Sequence, residues 1–273
     1  MSPRAWRALS HGADDAVTLV VDFTGSGREQ AQFADLAPLL DPPLTVWASL
    51  PPMPADEVAR TGGAYLDWWL AGLRDAGTRV AAVAGYCAGS VFATALADRI
   101  GEWQERPQVI LLDPELPSCE GMFRNFHGVG GTLAAVLDEA ELAAFHAVGH
   151  RLEERGGPDA TGEVLASTGL VLEQAFGEAV ATTAERLDLD DDIRDELSGA
   201  FSALVGYLTA AADLADPAAW AGASAVTSAA PRHPVGRELR IDVPHDDLLR
   251  APAAARALSA LIASDRHRQP AGR

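Results

Sequence analysis

The chain has 273 residues, 48% of them hydrophobic, enough for one large α/β domain or two small ones with a sizeable core. Its formal charge of -18 speaks against nucleic acid as a partner, because phosphate binding needs a basic surface. No apolar run reaches the ~18 residues of a spanning helix, so no membrane partner is expected.

Residues 1–11 carry two arginines with no apolar run behind them and do not read as a secretory signal. Two cysteines, Cys87 and Cys119, are too few for a disulfide framework, so a reducing cytoplasm is the expected location. Residues 16–23 (AVTLVVDF) form a valine-rich run of the kind buried on both faces of a parallel sheet. The run ends in the loop signal Thr24-Gly25-Ser26-Gly27. Helical spacing covers 30–40, with Phe33, Leu36, Leu39 and Leu40 on one side, until Pro42-Pro43 stops it. A second strand is predicted over 44–50, a helix over 56–76, a third strand over 79–84, a helix over 91–100 and a fourth strand over 108–112 (QVILL). This alternation at short spacing predicts an α/β fold, a mostly parallel central sheet with helices on both faces.

The alternation then breaks. Residues 130–213 show helical periodicity only, with three helices expected near 132–152, 165–187 and 197–214. Strands resume at 224–229 and 238–243, and a last helix covers 251–263. The polar tail 264–273 is expected to fray. One domain over 1–273 is therefore expected, with 115–218 as a helical lid insertion.

Gly85-Tyr86-Cys87-Ala88-Gly89 lies between the third strand and its helix. This is the G-x-S-x-G nucleophile elbow with cysteine in the serine position. A turn this tight needs small residues two positions either side of the nucleophile. The helix N-terminus behind it is expected to lower the thiol pKa. The segment AVAGYCAGSVFATALADRI resembles the elbow of thioesterases that serve polyketide and nonribosomal peptide synthetases. That resemblance implies an α/β-hydrolase fold with a lid. It also implies an acyl or peptidyl carrier protein as partner, whose phosphopantetheine arm delivers a small acyl group as a thioester, with no cofactor. The departure from the family is cysteine for serine.

A cysteine nucleophile needs a base and an acid to orient it. Asp113 ends the fourth strand, on the same sheet rim as the elbow. Asp242 is the runner-up acid. His245, in Val243-Pro244-His245-Asp246-Asp247, follows the last strand and resembles the family's histidine loop, with Val-Pro where glycine-aspartate is usual. Its chain order after nucleophile and acid fits the fold. The backbone N–H of Ala88 is one expected oxyanion-hole donor, and by resemblance Gly25, then Ser26, supplies the other. No metal site is expected: His146 and His150 stand at i, i+4 but have no third ligand in view.

Two alternatives remain. The GYCAG string also resembles dienelactone hydrolases, which use cysteine but place the acid later and the histidine soon after it. A non-catalytic binding protein on the same fold is the other. Cysteine matters for chemistry: an acyl-cysteine is a thioester, close in energy to the donor thioester, so transfer to thiol or amine is favoured over plain hydrolysis.

Overall fold

The structure is a computed structural model that describes residues 3–13, 15–23, 30–154, 162–233 and 235–266. Seven strands form one sheet in the order β1-β3-β2-β4-β5-β6-β7. Their ranges are β1 Trp6–Ser10, β2 Val17–Val21, β3 Thr45–Ser49, β4 Val80–Tyr86, β5 Gln108–Leu112, β6 Ser224–Thr227 and β7 Glu238–Arg240. β1 runs antiparallel to β3, and every other neighbour pair is parallel.

Alternating side chains of the central strands feed two separate cores, as a two-residue side-chain period requires. Leu19, Val21, Val83 and Leu111 point to one face; Val20, Ala84, Ile110 and Leu112 point to the other. The second face is covered by α1 (Phe33–Leu36) and α8 (Pro252–Arg266). The first is covered by α2 (Gly62–Leu70) and α3 (Gly89–Ile100), and by four helices inserted between β5 and β6: α4 (Cys119–Leu133), α5 (Glu139–Glu153), α6 (Gly162–Leu187) and α7 (Asp191–Asp213). Tyr207 of α7 packs on Phe92 of α3 at 5.0 Å between ring centroids, and Phe92 meets Trp69 of α2 edge-on at 4.8 Å. Arg60 ties the same region together with a two-pronged bond to Glu173 of α6 at 2.8 and 2.9 Å and a third bond to Ser202 of α7 at 2.7 Å. No helix among the described residues is long and apolar enough to cross a membrane.

Several elements differ from the sequence expectation. β1 was not anticipated, because an edge strand with a largely exposed pattern carries little apolar signal. The helix expected over 56–76 is confined to Gly62–Leu70: Thr61 caps it by accepting from the Ala64 N–H, and Gly72 at φ 79° follows it. β7 stops at Arg240, because the Val243 N–H bonds back to the Ile241 carbonyl and turns the chain. The insertion contains four helices rather than three. α4 holds Gly121, Gly128, Gly130 and Gly131, poor helix formers that hide its periodicity. Packing of Met122, Phe123 and Phe126 into the core supplies what propensity does not. Residues 267–273 of the expected frayed tail lie outside the described residues.

Candidate active site

Cys87 follows the last residue of β4 and stands one residue before the Ala88 N-cap of α3. Its φ of 53° is left-handed, a conformation that strains any non-glycine residue. The flanking glycines are required by contact. A Cβ on Gly85 would lie 2.4 Å from the Gly89 carbonyl oxygen, and one on Gly89 would lie 2.2 Å from the Val21 carbonyl oxygen. The turn therefore closes against both its own helix and the neighbouring strand, and Cys87 is left at the rim.

Asp113 follows β5 and also has a left-handed backbone, at φ 41°. It is 2% exposed. Its Oδ1 accepts the Ser228 N–H at 2.7 Å, and its Oδ2 lies 2.9 Å from His245 Nδ1. His245 begins the six-residue 3-10 helix, His245–Arg250, after β7. The other ring nitrogen, Nε2, is buried and has no hydrogen-bond partner among the described residues. A ring nitrogen of His245, the Cys87 Sγ and a Glu115 carboxylate oxygen lie within 4.8 Å of one another. Three side chains from the ends of β4, β5 and β7 thus meet on one rim. Asp242, the runner-up acid, is exposed on the approach to His245, while the Nδ1 contact goes to Asp113.

Two neighbours escaped the sequence reading. Tyr86 stacks on the His245 ring at 5.0 Å between centroids and 18° between planes. Its hydroxyl donates to the His245 carbonyl at 2.8 Å and accepts from Gln30 Nε2 at 2.9 Å, so the elbow's own second residue braces the histidine. The second is Glu115, 5% exposed, whose Oε2 accepts the Cys87 thiol at 3.3 Å. Its backbone N–H donates to the Cys87 carbonyl, which fixes it to the elbow. Its Oε1 lies 3.4 Å from Arg232 and 3.5 Å from Arg124, and both arginines also reach Glu120. Only its place two residues after Asp113 could have marked Glu115, and a carboxylate in a loop is too common to single out.

This neighbourhood reverses one expectation. Burial, then the Glu115 charge, pushes the Cys87 thiol far above the ordinary thiol range; the Ala88 N–H, which bonds the sulfur, acts the other way and does not prevail. The helix N-terminus contributes that one N–H, while desolvation and a carboxylate at contact distance oppose it. Both effects favour the neutral form of the Cys87 thiol. Gly25 and Ser26, the expected second donors, lie outside the described residues.

A cavity of about 50 Å³ opens beside Cys87. Asp22, Phe23 and Glu115 line it together with Arg124 and Asn125 of α4 and Tyr207 of α7. A second polar cluster lies on α4 and α5. His127 Nδ1 is 2.8 Å from His146 Nδ1, and Glu153 reaches His127 Nε2 at 3.3 Å and His150 Nδ1 at 3.0 Å. The sequence pairs His146 with His150; the structure instead groups His150 with His127 of the preceding helix and with Glu153 one turn on. Two imidazoles and a carboxylate are zinc-type donors, and here they bond one another.

No protein-family model matches the chain, and no curated protein matches it. Solved structures do match. A loop variant of the haloalkane dehalogenase DbeA from Bradyrhizobium elkanii superposes with a TM-score of 0.52 at 15% identity, covering 97% of this chain and 95% of that one. The Vlm2 thioesterase domain, solved with a bound dodecadepsipeptide, superposes with a TM-score of 0.52 at 15% identity, covering 96% of this chain and 97% of that one. At such identity the likeness concerns the fold, and the fold of this chain is that of the α/β hydrolases.

Proposed function

We propose that the chain is a thioesterase-type acyl-transfer enzyme with Cys87 as nucleophile, His245 as base and Asp113 as the orienting acid. The observation that carries this reading is the contact of three strand ends: a thiol on a strained elbow, a histidine nitrogen within 4.8 Å of it, and a buried aspartate 2.9 Å from the same imidazole. Asp113 fixes the tautomer with the proton on Nδ1, which leaves Nε2 to accept the thiol proton. The Sγ attacks the carbonyl carbon of an acyl thioester, the Sγ–C bond forms, and the oxyanion lies against the Ala88 N–H. The bond to the donor sulfur breaks, and His245 returns the proton to that sulfur. The reverse sequence delivers the acyl group to a thiol, an amine or water.

The donor in this reading is an acyl or aminoacyl group on the phosphopantetheine arm of a carrier protein, in natural-product assembly. Residues 115–218 act as a lid; support comes from the cavity beside Cys87, which α4 and α7 help to line. A thioester nucleophile suits near-thermoneutral exchange with a thioester donor. The test is intact-mass detection of acyl-Cys87 from a holo carrier loaded with the acyl group, beside the same group on a short pantetheine mimic. Carrier contacts should raise kcat/KM for the tethered form, because remote binding energy can stabilise the transition state. Equal rates, or a preference for free lactones, would reject the carrier and favour a dienelactone-type hydrolase. Acylation that persists in Cys87→Ala would overturn the nucleophile.

A further inference from the structure

We propose that Glu115 is the specificity residue of this site, and that its Oε2 binds the protonated α-amine of an aminoacyl group carried on Cys87. The inference rests on the acyl-transfer reading and narrows it to amine-bearing acyl groups.

The argument begins with donors and acceptors around one carboxylate. Oε1 faces the guanidinium groups of Arg124 and Arg232. Oε2 accepts the Cys87 thiol. Acylation replaces that S–H with an S–C bond, so Oε2 loses its donor at the moment the acyl-enzyme forms. Glu115 is 5% exposed, so solvent has little access to replace it. A buried carboxylate oxygen left without a donor is costly, and the acyl group must bring one.

Geometry limits where that donor sits. On an acyl-cysteine, a substituent on the carbon next to the carbonyl lies about 3–4 Å from Sγ, by ordinary bond lengths. Glu115 Oε2 lies 3.3 Å from Sγ. An α-ammonium therefore falls within reach of Oε2, whereas a hydrogen at that position leaves Oε2 unpaired. Charge points the same way: the charged side chains that line the cavity are Asp22, Glu115 and Arg124, two anions to one cation. The backbone bond from the Glu115 N–H to the Cys87 carbonyl holds the carboxylate at this height over the elbow.

The experiment follows acylation of Cys87 by intact mass. It uses the full chain and N-acetylcysteamine thioesters of an L-amino acid and of its des-amino analogue, so the result does not depend on a carrier. The native chain should acylate from the aminoacyl thioester about 10–100-fold faster, the worth of one charge-assisted hydrogen bond. The preference should fade as pH rises through about 7.7–8.0, where an α-amine loses its proton. Glu115→Gln should bring the two rates within about 3-fold, and Glu115→Asp, which keeps the charge, should retain part of the preference. Acylation without amine preference in the native chain, or a preference that survives Glu115→Gln, overturns the proposal and leaves the acyl-transfer reading standing. Failure of Cys87 to acylate from either thioester overturns both. Unfolding of Glu115→Gln would move the decision to Glu115→Asp and to the pH profile of the native chain.

Discussion

At the scale of single residues, the Cys87 thiol gives its hydrogen to Glu115, while a ring nitrogen of His245 lies within 4.8 Å of the sulfur. On the proposed mechanism a neutral thiol loses its proton to His245 during attack, so the reaction would lean on the base and on the acid that orients it. His245→Ala should cut the acylation rate about 10²–10⁴-fold, the usual worth of a general base. A pre-formed thiolate would make Asp113→Asn mild. With the thiol held protonated, that variant should lose about as much as His245→Ala, and a loss under tenfold would show that the thiolate forms without help. The pH dependence has a definite sign. Burial and Glu115 raise the thiol pKa, so alkylation of Cys87 by iodoacetamide should be slow at pH 8 and keep rising above the ordinary thiol range. Removing the negative charge in Glu115→Gln lowers that pKa and enlarges the thiolate fraction, so alkylation at pH 8 should quicken by about tenfold or more. Mass-spectrometric peptide mapping separates Cys87 from Cys119.

At the scale of elements, the site depends on close approach of backbone to backbone. Gly89 meets the Val21 carbonyl of β2 and Gly85 meets Gly89, so an added methyl group must push α3 away from β2 at the first and away from β4 at the second. Gly89→Ala should lower stability by about 3 kcal/mol or more, read from denaturant midpoints, and should abolish acylation in whatever folds. The α2–α6–α7 junction is a milder case. Arg60 is partly exposed, so its bond to Glu173 is screened by solvent, and Arg60→Ala should cost only about 1 kcal/mol. Faster hydrogen exchange in α6 and α7, with the sheet unaffected, would show that this junction holds the insertion in place.

At the scale of the whole molecule, a charge of -18 sets the long-range field. Carrier proteins are commonly acidic, so encounter with one is opposed rather than steered. The rate of acylation from a holo carrier should therefore rise, by roughly 2–5-fold, between low and physiological ionic strength as the repulsion is screened. Stopped-flow or quenched mass measurements across salt would detect it. A rate that falls with salt would mean that a local basic face does the docking. Acylation from the uncharged pantetheine mimic serves as the control and should change little.

The order of the central elements and the elbow could be read from one dimension, because buried parallel strands are continuous apolar runs and a strand-to-helix turn this tight demands Gly85 and Gly89. The sequence also pointed to Asp113 and His245, since chain order and strand ends are one-dimensional information. The edge strand β1, the helix α4 and the short β7 were illegible: exposed edges, glycine-rich helices and bent strands owe their form to neighbours distant in sequence. The identity of the thiol's hydrogen-bond partner belonged wholly to the tertiary structure. Nothing in Asp113-Pro114-Glu115 says that the second carboxylate turns inward. Only the tertiary structure buries Glu115, brings Arg124 of α4 and Arg232 of the loop after β6 to its outer oxygen and aims the inner one at sulfur. Desolvation, which raises the thiol pKa here, is a property of the surroundings of a residue and not of its place in the chain.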